Sequence, residues 1–266
     1  MMTDQNQPKK PPAYHTSDDR KPGELFRADV EPLTPTREFF DQCAKLGIGL
    51  DEGDADRLGR FLAIMLDTNT RVNLTAIKDA QSGWIRHIFD SLTLIPLLSD
   101  LPDGARVIDI GSGGGVPAVP LAIAMPHLSF TCLEATGKKA AFLEFVAKTM
   151  SLKNLGVVNA RAESAARLDE HRDAYDAGTA RALGRLTVAS ELVLPFVKPG
   201  GIALFVKGEQ AETELADAKK ALHMLHAVHA GTVETPTGKV IVLEKLRTTP
   251  KAYPRADGLP KKQPLG

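Results

Sequence analysis

The stretch VIDIGSGGGVPA, residues 107–118, constrains this chain more than any other. Four glycines fall within five positions, directly after an apolar run and directly before a segment suited to a helix. Glycine reaches positive φ without strain and lets the backbone approach a ligand closely. Such a loop forms where a strand turns sharply into a helix, and open parallel sheets bind ligands there, beyond the strands' carboxyl ends. The texture after residue 105 agrees. RVIDI, LSFTCLE, NLGVVNA, AYDAGTAR and GGIALFVK read as strands. Residues 117–125, GKKAAFLEFVAKTMSL and LTVASELVLPFV read as helices, with Pro117 suited to a first turn. Strands alternating with helices predict an α/β fold, a mostly parallel sheet with helices on both faces. Near the end, TVETPTGKVIVLEKL predicts an antiparallel hairpin turning at Thr237 and Gly238. There is no internal repeat.

Three helices are expected ahead of the loop. PTREFFDQCAKLG closes at Gly47, and residues 51–69 carry Leu58, Phe61, Leu62, Met65 and Leu66 at helical spacing. Residues 81–97 carry Trp84, Ile85, Ile88, Leu92 and Ile95 in the same way. The resulting organisation is a disordered tail over 1–35, which holds six prolines, then a helical cap over 36–100. An α/β domain over 101–250 and a basic tail over 251–266 complete it.

Composition narrows the function. Lysine plus arginine equals aspartate plus glutamate, 33 each, so no global field marks a polyanion partner, and any nucleic-acid surface is local. Cys43 and Cys132 have no metal-ligand or disulfide spacing and read as buried thiols in a reducing compartment. The longest apolar run, residues 116–125, is short and broken by Pro117 and Pro120, which excludes a membrane helix. No leader-like segment opens the chain, so a cytoplasmic protein without a membrane partner is expected.

Residues 113–118 satisfy the dinucleotide pattern GxGxxA, and Glu134 follows Gly113 by 21 positions, where an acid can bond a ribose diol. NAD and S-adenosylmethionine both carry an adenosine ribose, so Glu134 does not separate them. Asp109 does. Two residues before Gly111, its carboxylate can brace the loop, bond loop amides or reach a methionine ammonium, whereas it would repel a pyrophosphate. The segment ARAES follows the third strand, where class I methyltransferases place groups against the adenine. An NAD-dependent oxidoreductase and a noncatalytic RNA-binding module with a vestigial pocket stand as the alternatives.

The chain resembles the ribosomal RNA small subunit methyltransferase G family, also called glucose-inhibited division protein B. The segments that carry the resemblance are NTRVNLTAIKDAQSGWIRHIFDSL, VIDIGSGGGVPAVPLAIAMP, LEATGKKAAFLEFVAK, NARAES, TARALGRL, FVKG and TPKAYPRADGLPKKQPL, in the family's order across residues 58–266. The last is the most telling, because nothing in generic methyltransferases demands it. The resemblance implies a class I methyltransferase fold preceded by helices. It implies methyl transfer from S-adenosylmethionine to N7 of one guanine in 16S rRNA (nucleotide 527 in the usual rRNA numbering). It places cofactor contacts at Gly111, Gly113 and Val116, at Glu134, Ala135 and Thr136, at Ala162 and Glu163, and at Arg181. Glu134 stands where many relatives have aspartate, and the longer acid still reaches a ribose.

The remaining constellations are weaker. Arg181 suits the cofactor, an RNA phosphate or a structural ion pair, and Lys207 with Gly208 marks an RNA-facing lip. Residues 239–266 hold seven basic residues against two acids, so Lys251, Arg255, Lys261 and Lys262 are RNA candidates. His87, Asp90 and Ser91 are too close along one helix for a hydrolase triad and suit capping or bridging. His223, His226 and His229 lack a completing carboxylate, so no metal is expected. No general base is expected either, since guanine N7 carries a lone pair and no proton, and the enzyme is expected to be a monomer.

Overall fold

The computed structural model describes residues 25–266, so the first 24 residues of the expected tail lie outside the described residues. Seven strands form one sheet in the order β3-β2-β1-β4-β5-β7-β6. They are β1 (Arg106–Ile110), β2 (Ser129–Leu133), β3 (Leu155–Val158), β4 (Tyr175–Arg181), β5 (Val197–Lys207), β6 (Ala227–Thr235) and β7 (Gly238–Lys245). The first five are parallel, and β7 runs antiparallel between β5 and β6. The expected hairpin is thus present, and its turn spans Pro236 and Thr237.

Helices α1 (Arg37–Lys45) and α2 (Asp54–Asn69) precede the sheet. Thr36 caps α1, its hydroxyl accepting from the Phe39 N–H at 3.1 Å. The next helix, α3, is α-helical over Ala80–Gly83, widens into a π-helical turn over Trp84–Phe89, and is α-helical again over Asp90–Leu92. The single helix expected over 81–97 therefore breaks, with α4 (Ile95–Leu98) starting anew around Pro96. Helices α5 (Ala118–Ala124), α6 (Gly137–Thr149), α7 (Ala162–Ala165), α8 (Leu186–Val193), α9 (Ala211–Met224) and α10 (Leu259–Lys262) follow in the sheet region. The residue pattern did not reveal α9, because its buried face is mostly alanine: Ala211, Ala218, Ala221 and Leu222. No described helix is long and apolar enough to cross a membrane.

Strand side chains alternate, so the sheet feeds two cores. Val107, Phe130, Ala177 and Leu204 pack with α5, α6 and the N-terminal helices in one continuous core, which includes Phe39, Leu58, Phe61, Met65 and Trp84. Ile108, Ile110, Phe205 and Ile241 pack with α8 and α9 in the other. Residues 25–35, read from composition as tail, join the first core. Leu25 and Phe26 are buried, and the Phe26 ring packs tilted at 5.4 Å from that of Phe145. Two apolar anchors suffice to hold a stretch otherwise rich in proline and charge.

The expected tail over 251–266 is likewise folded onto the body. Arg172 donates to the carbonyls of Ala166, Thr249, Pro250 and Tyr253. Arg167 donates to the Pro254 carbonyl at 2.5 Å. Pro260 and Leu265 are buried. Fully buried Lys245 donates to Asp173 at 3.0 Å, to Thr249 at 2.7 Å and to the Leu194 and Val197 carbonyls, which satisfies a charge that burial would otherwise penalise.

Candidate active site

A cavity of about 760 Å³ opens along the carboxyl ends of the parallel strands. Ile110 and Gly111 end β1 against it, Leu133 and Glu134 end β2, Ala160 and Ala162 follow β3, and Ala182 and Leu183 follow β4. The sequence-predicted residues Gly111, Glu134, Ala135, Thr136, Ala162 and Glu163 all line it. Gly113, Val116 and Arg181 do not form its wall. Residues that pattern reading missed include Lys139, Arg161, Arg185, Val188 and Leu192, and Lys261 and Pro264 arrive from the C-terminal segment.

The four glycines divide their tasks. Gly111 has φ +73°, and a Cβ there would sit 2.7 Å from Leu183 Cδ1. Gly113 has φ +53° with no heavy atom nearer than 3.8 Å, so it is needed for its backbone angle. Gly114 and Gly115 face away from the ligand side. A Cβ on Gly114 would lie 3.3 Å from Met65 Sδ, and one on Gly115 2.7 Å from Val119 Cγ2. Half of the cluster therefore exists for close packing against the N-terminal helices and α5.

Glu134, 7% exposed, accepts from the Gly113 N–H at 2.9 Å and from the Thr136 N–H at 2.7 Å, and the Asn159 amide donates to its carbonyl at 2.8 Å. One carboxylate thus couples the glycine loop to the β2–α6 loop, with lone pairs left over for a ligand's hydroxyls. Asp109 is buried at 1% exposure, between β1 and β4. Its Oδ1 accepts from Thr179 Oγ1 at 2.9 Å, and its Oδ2 has no partner. Its carboxylate thus ties β1 to β4, while the loop's tie to Asp109 runs through its backbone. The loop is tied to Asp109 through the Ser112 hydroxyl, which donates to the Asp109 carbonyl at 2.9 Å. Burial, partly offset by the Ser112 and Thr179 hydroxyls, pushes the Asp109 carboxyl up to about 6.

Glu163 is turned toward the C-terminal segment. It accepts from the Gly258 N–H at 2.8 Å and from Arg161 at 3.0 Å, and these contacts outweigh burial in holding its carboxyl below the ordinary range. Arg181 is a strut to the cap. Its guanidinium meets Asp90 at 3.1 Å, His87 Nδ1 at 3.3 Å and the Arg86 carbonyl at 2.5 Å. His87 also bonds Thr75 at 2.8 Å, Asp90 also accepts from the Thr237 hydroxyl, and Ser91 donates to the His87 carbonyl at 2.6 Å. His87 and Asp90 bridge elements, while Ser91 bonds back within its own helix. Lys207 is drawn inward, donating to the Gly184 carbonyl at 2.6 Å and to Glu214 at 2.8 Å. Arg255 grips Glu191, while Lys251, Lys261 and Lys262 are exposed. His223, His226 and His229 lie on α9, on a left-handed residue and on β6, and no metal-ligand cluster occurs among the described residues.

This sheet order, with its glycine loop and carboxylate at the strand ends, is that of the class I methyltransferase fold. Residues 54–240 match the family model described as rRNA small subunit methyltransferase G. A ribosomal RNA small subunit methyltransferase G of Sorangium cellulosum is 48% identical, the match covering 84% of this chain and 93% of that one. The protein of the same name from Leuconostoc citreum is 40% identical over 85% and 98%. Among solved structures, the branched-chain polyamine synthase of Thermus thermophilus shares the fold at TM-score 0.51 and 16% identity, covering 64% of this chain and 59% of that one. The chain belongs to the rRNA small subunit methyltransferase G family.

The family's cofactor, S-adenosylmethionine, fits the residues present. Glu134 offers acceptors for a ribose diol, Leu183, Val188 and Leu192 offer an apolar wall for a flat ring, and Lys139, Arg161 and Lys261 suit a carboxylate. The tight approach at Gly111 leaves the β1 end bare of side chain. The oxidoreductase reading falls with the family assignment.

Proposed function

We propose that this protein methylates N7 of one guanine, nucleotide 527, in 16S rRNA, acting as a cytoplasmic monomer on the rRNA or the small-subunit particle. The observation that supports it best is the Glu134-floored cavity, open at the strand ends of a chain whose family methylates small-subunit rRNA. When bound, S-adenosylmethionine supplies an electrophilic methyl group on a sulfonium. The chain's residues then have three tasks. Glu134, Ala135 and Thr136 hold the ribose side, Leu183 and Val188 exclude water, and Gly111 leaves room for the reacting centre.

N7 needs no deprotonation, so the chemistry asks alignment of the chain and no proton transfer. His87 fits this reading, because both of its ring nitrogens are engaged by Thr75 and Arg181. In A-form RNA the major groove that displays N7 is too narrow for side chains, so the target base is unstacked or in a loop. The exposed lysines at 251 and 262 and the cap over 36–100 supply local contacts to phosphate. The test is transfer of a labelled methyl group to small-subunit particles lacking the modification, with the product nucleotide mapped. Label at any site other than a guanine N7 would overturn the proposal. So would a single-turnover rate that rises with unit slope across roughly pH 6–9 and loses that rise when one side chain is removed.

A further inference from the structure

A second hollow of about 400 Å³ adjoins the cofactor cavity at the Ala182–Gly184 turn. Ala182, at a left-handed φ of +54°, and Gly184 line both cavities, so the two hollows adjoin at this turn. Arg181 and Lys207 bring in the carboxyl ends of β4 and β5, Thr237 brings in the β6–β7 turn, and Arg86 and Asp90 come from α3. A third hollow shares Arg185 and Pro264 with the cofactor cavity but lies off the strand ends, against α8, α9 and residues 264–266.

We propose that this second hollow receives the extruded guanine, with Asp90 reading its Watson–Crick edge and Arg86 meeting the adjoining phosphate. The inference rests on the reading of guanine N7 as the methyl acceptor. An acceptor must touch the donor's site, and this hollow borders the cofactor cavity at the strand ends, where the fold places ligands. If N7 is to stay bare and point toward the cofactor cavity, the base has to be recognised on another edge. Guanine presents N1–H and N2–H₂ as adjacent donors on its opposite edge, and no other standard base presents that pair.

Asp90 is the matching acceptor. Its carboxylate is 7% exposed and held from two sides, by Arg181 Nε at 3.1 Å and by the Thr237 hydroxyl. Those two donors leave lone pairs on both oxygens. The π-helical turn makes the arrangement, because the widened helix puts the Arg86 carbonyl, His87 and Asp90 together over Arg181. Such turns are rare in proteins and recur at functional sites. His87 and Asp90, which neither the cofactor nor the methyl transfer uses, thereby acquire a role: His87 positions Arg181, and Arg181 positions Asp90. Glu214 is already taken up by the Leu186 N–H at 2.7 Å and by Lys207. Arg86 is exposed at the mouth, where a backbone phosphate would pass.

The experiment uses the full chain and small-subunit rRNA carrying photoreactive 6-thioguanosine at the target position. Crosslinks in peptides containing Arg86, Arg181, Gly208 or Thr237 are expected, and crosslinks confined to other surfaces would overturn the assignment. Gly208 lines the hollow with no atom within 4 Å of a Cβ, so Gly208→Trp introduces bulk without backbone conflict. This variant should bind S-adenosylmethionine as the wild type does and lose methyl transfer at least 100-fold. Gly231→Leu, equally open but on β6, should lose nothing. Full activity of Gly208→Trp beside an active wild type would sink the subsite and leave the methyltransferase reading standing. A wild type that labels no guanine would sink that reading, and this inference with it.

Discussion

Replacing Arg255 with alanine should destabilise the whole fold. The guanidinium meets both oxygens of Glu191, with Nε at 2.9 and 3.1 Å and a terminal nitrogen at 2.6 Å. The Glu191 side chain is 0% exposed. Removing the arginine side chain leaves that carboxylate buried, with the Arg255 N–H at 2.8 Å as its remaining partner. Breaking a buried pair by deleting one member costs about 3–5 kcal/mol, and the surviving N–H argues for the lower end. At 2–4 °C per kcal/mol for a chain near this size, 3 kcal/mol lowers Tm by roughly 6–12 °C. Thermal unfolding followed by circular dichroism measures it. The double variant Arg255→Ala/Glu191→Leu should recover most of the loss, since no charge is then stranded. A Tm within 2 °C of wild type for Arg255→Ala, with weakened RNA binding, would refute this reasoning and return Arg255 to the RNA surface.

Glu134→Ala should weaken S-adenosylmethionine binding by about 1–3 kcal/mol, and calorimetry on the folded variant checks it. Burial first, then the Arg181 charge, lowers the His87 pKa to about 4 against an ordinary 6.5. Between these values the unfolded chain binds a proton that the folded chain refuses, so stability is intact above pH 6.5 and falls as pH drops toward 4. Urea titrations over that range should show a shallower pH slope for His87→Gln, and an unchanged slope would remove His87 as the cause. Neutralising Lys251 and Lys262 together should flatten the salt dependence of RNA binding by up to about 1.4 log units per decade, at 0.7 per phosphate contact, with cofactor affinity intact.

The strands and the glycine loop were legible because buried parallel strands are almost continuously apolar and a strand–glycine–helix junction leaves few alternatives. Six of the nine residues that the family resemblance implied for the cofactor line the cavity, because they lie just beyond β1, β2 and β3. What escaped was whatever depends on long-range polar contact. Glu163 bonds Gly258, 95 residues away, and Arg181 bonds Arg86 across the same separation. No local period encodes such pairs. The C-terminal segment read as a basic tail because its anchors, Pro260, Leu265 and the arginines on its receiving surface, are scattered. The π-helical turn has no composition of its own, since WIRHIF fits an ordinary helix equally well.

Gly114 and Gly115, set tightly against Met65 and Val119, give the cofactor loop a rigid backing. The loop is a hinge pin shared by two machines, one holding a small molecule and one formed by the N-terminal helices. A substitution that thickens α2 at Met65 presses on the ligand's cradle without touching the ligand. Changes in cofactor affinity can therefore arise from α2, whose residues do not line the cofactor cavity.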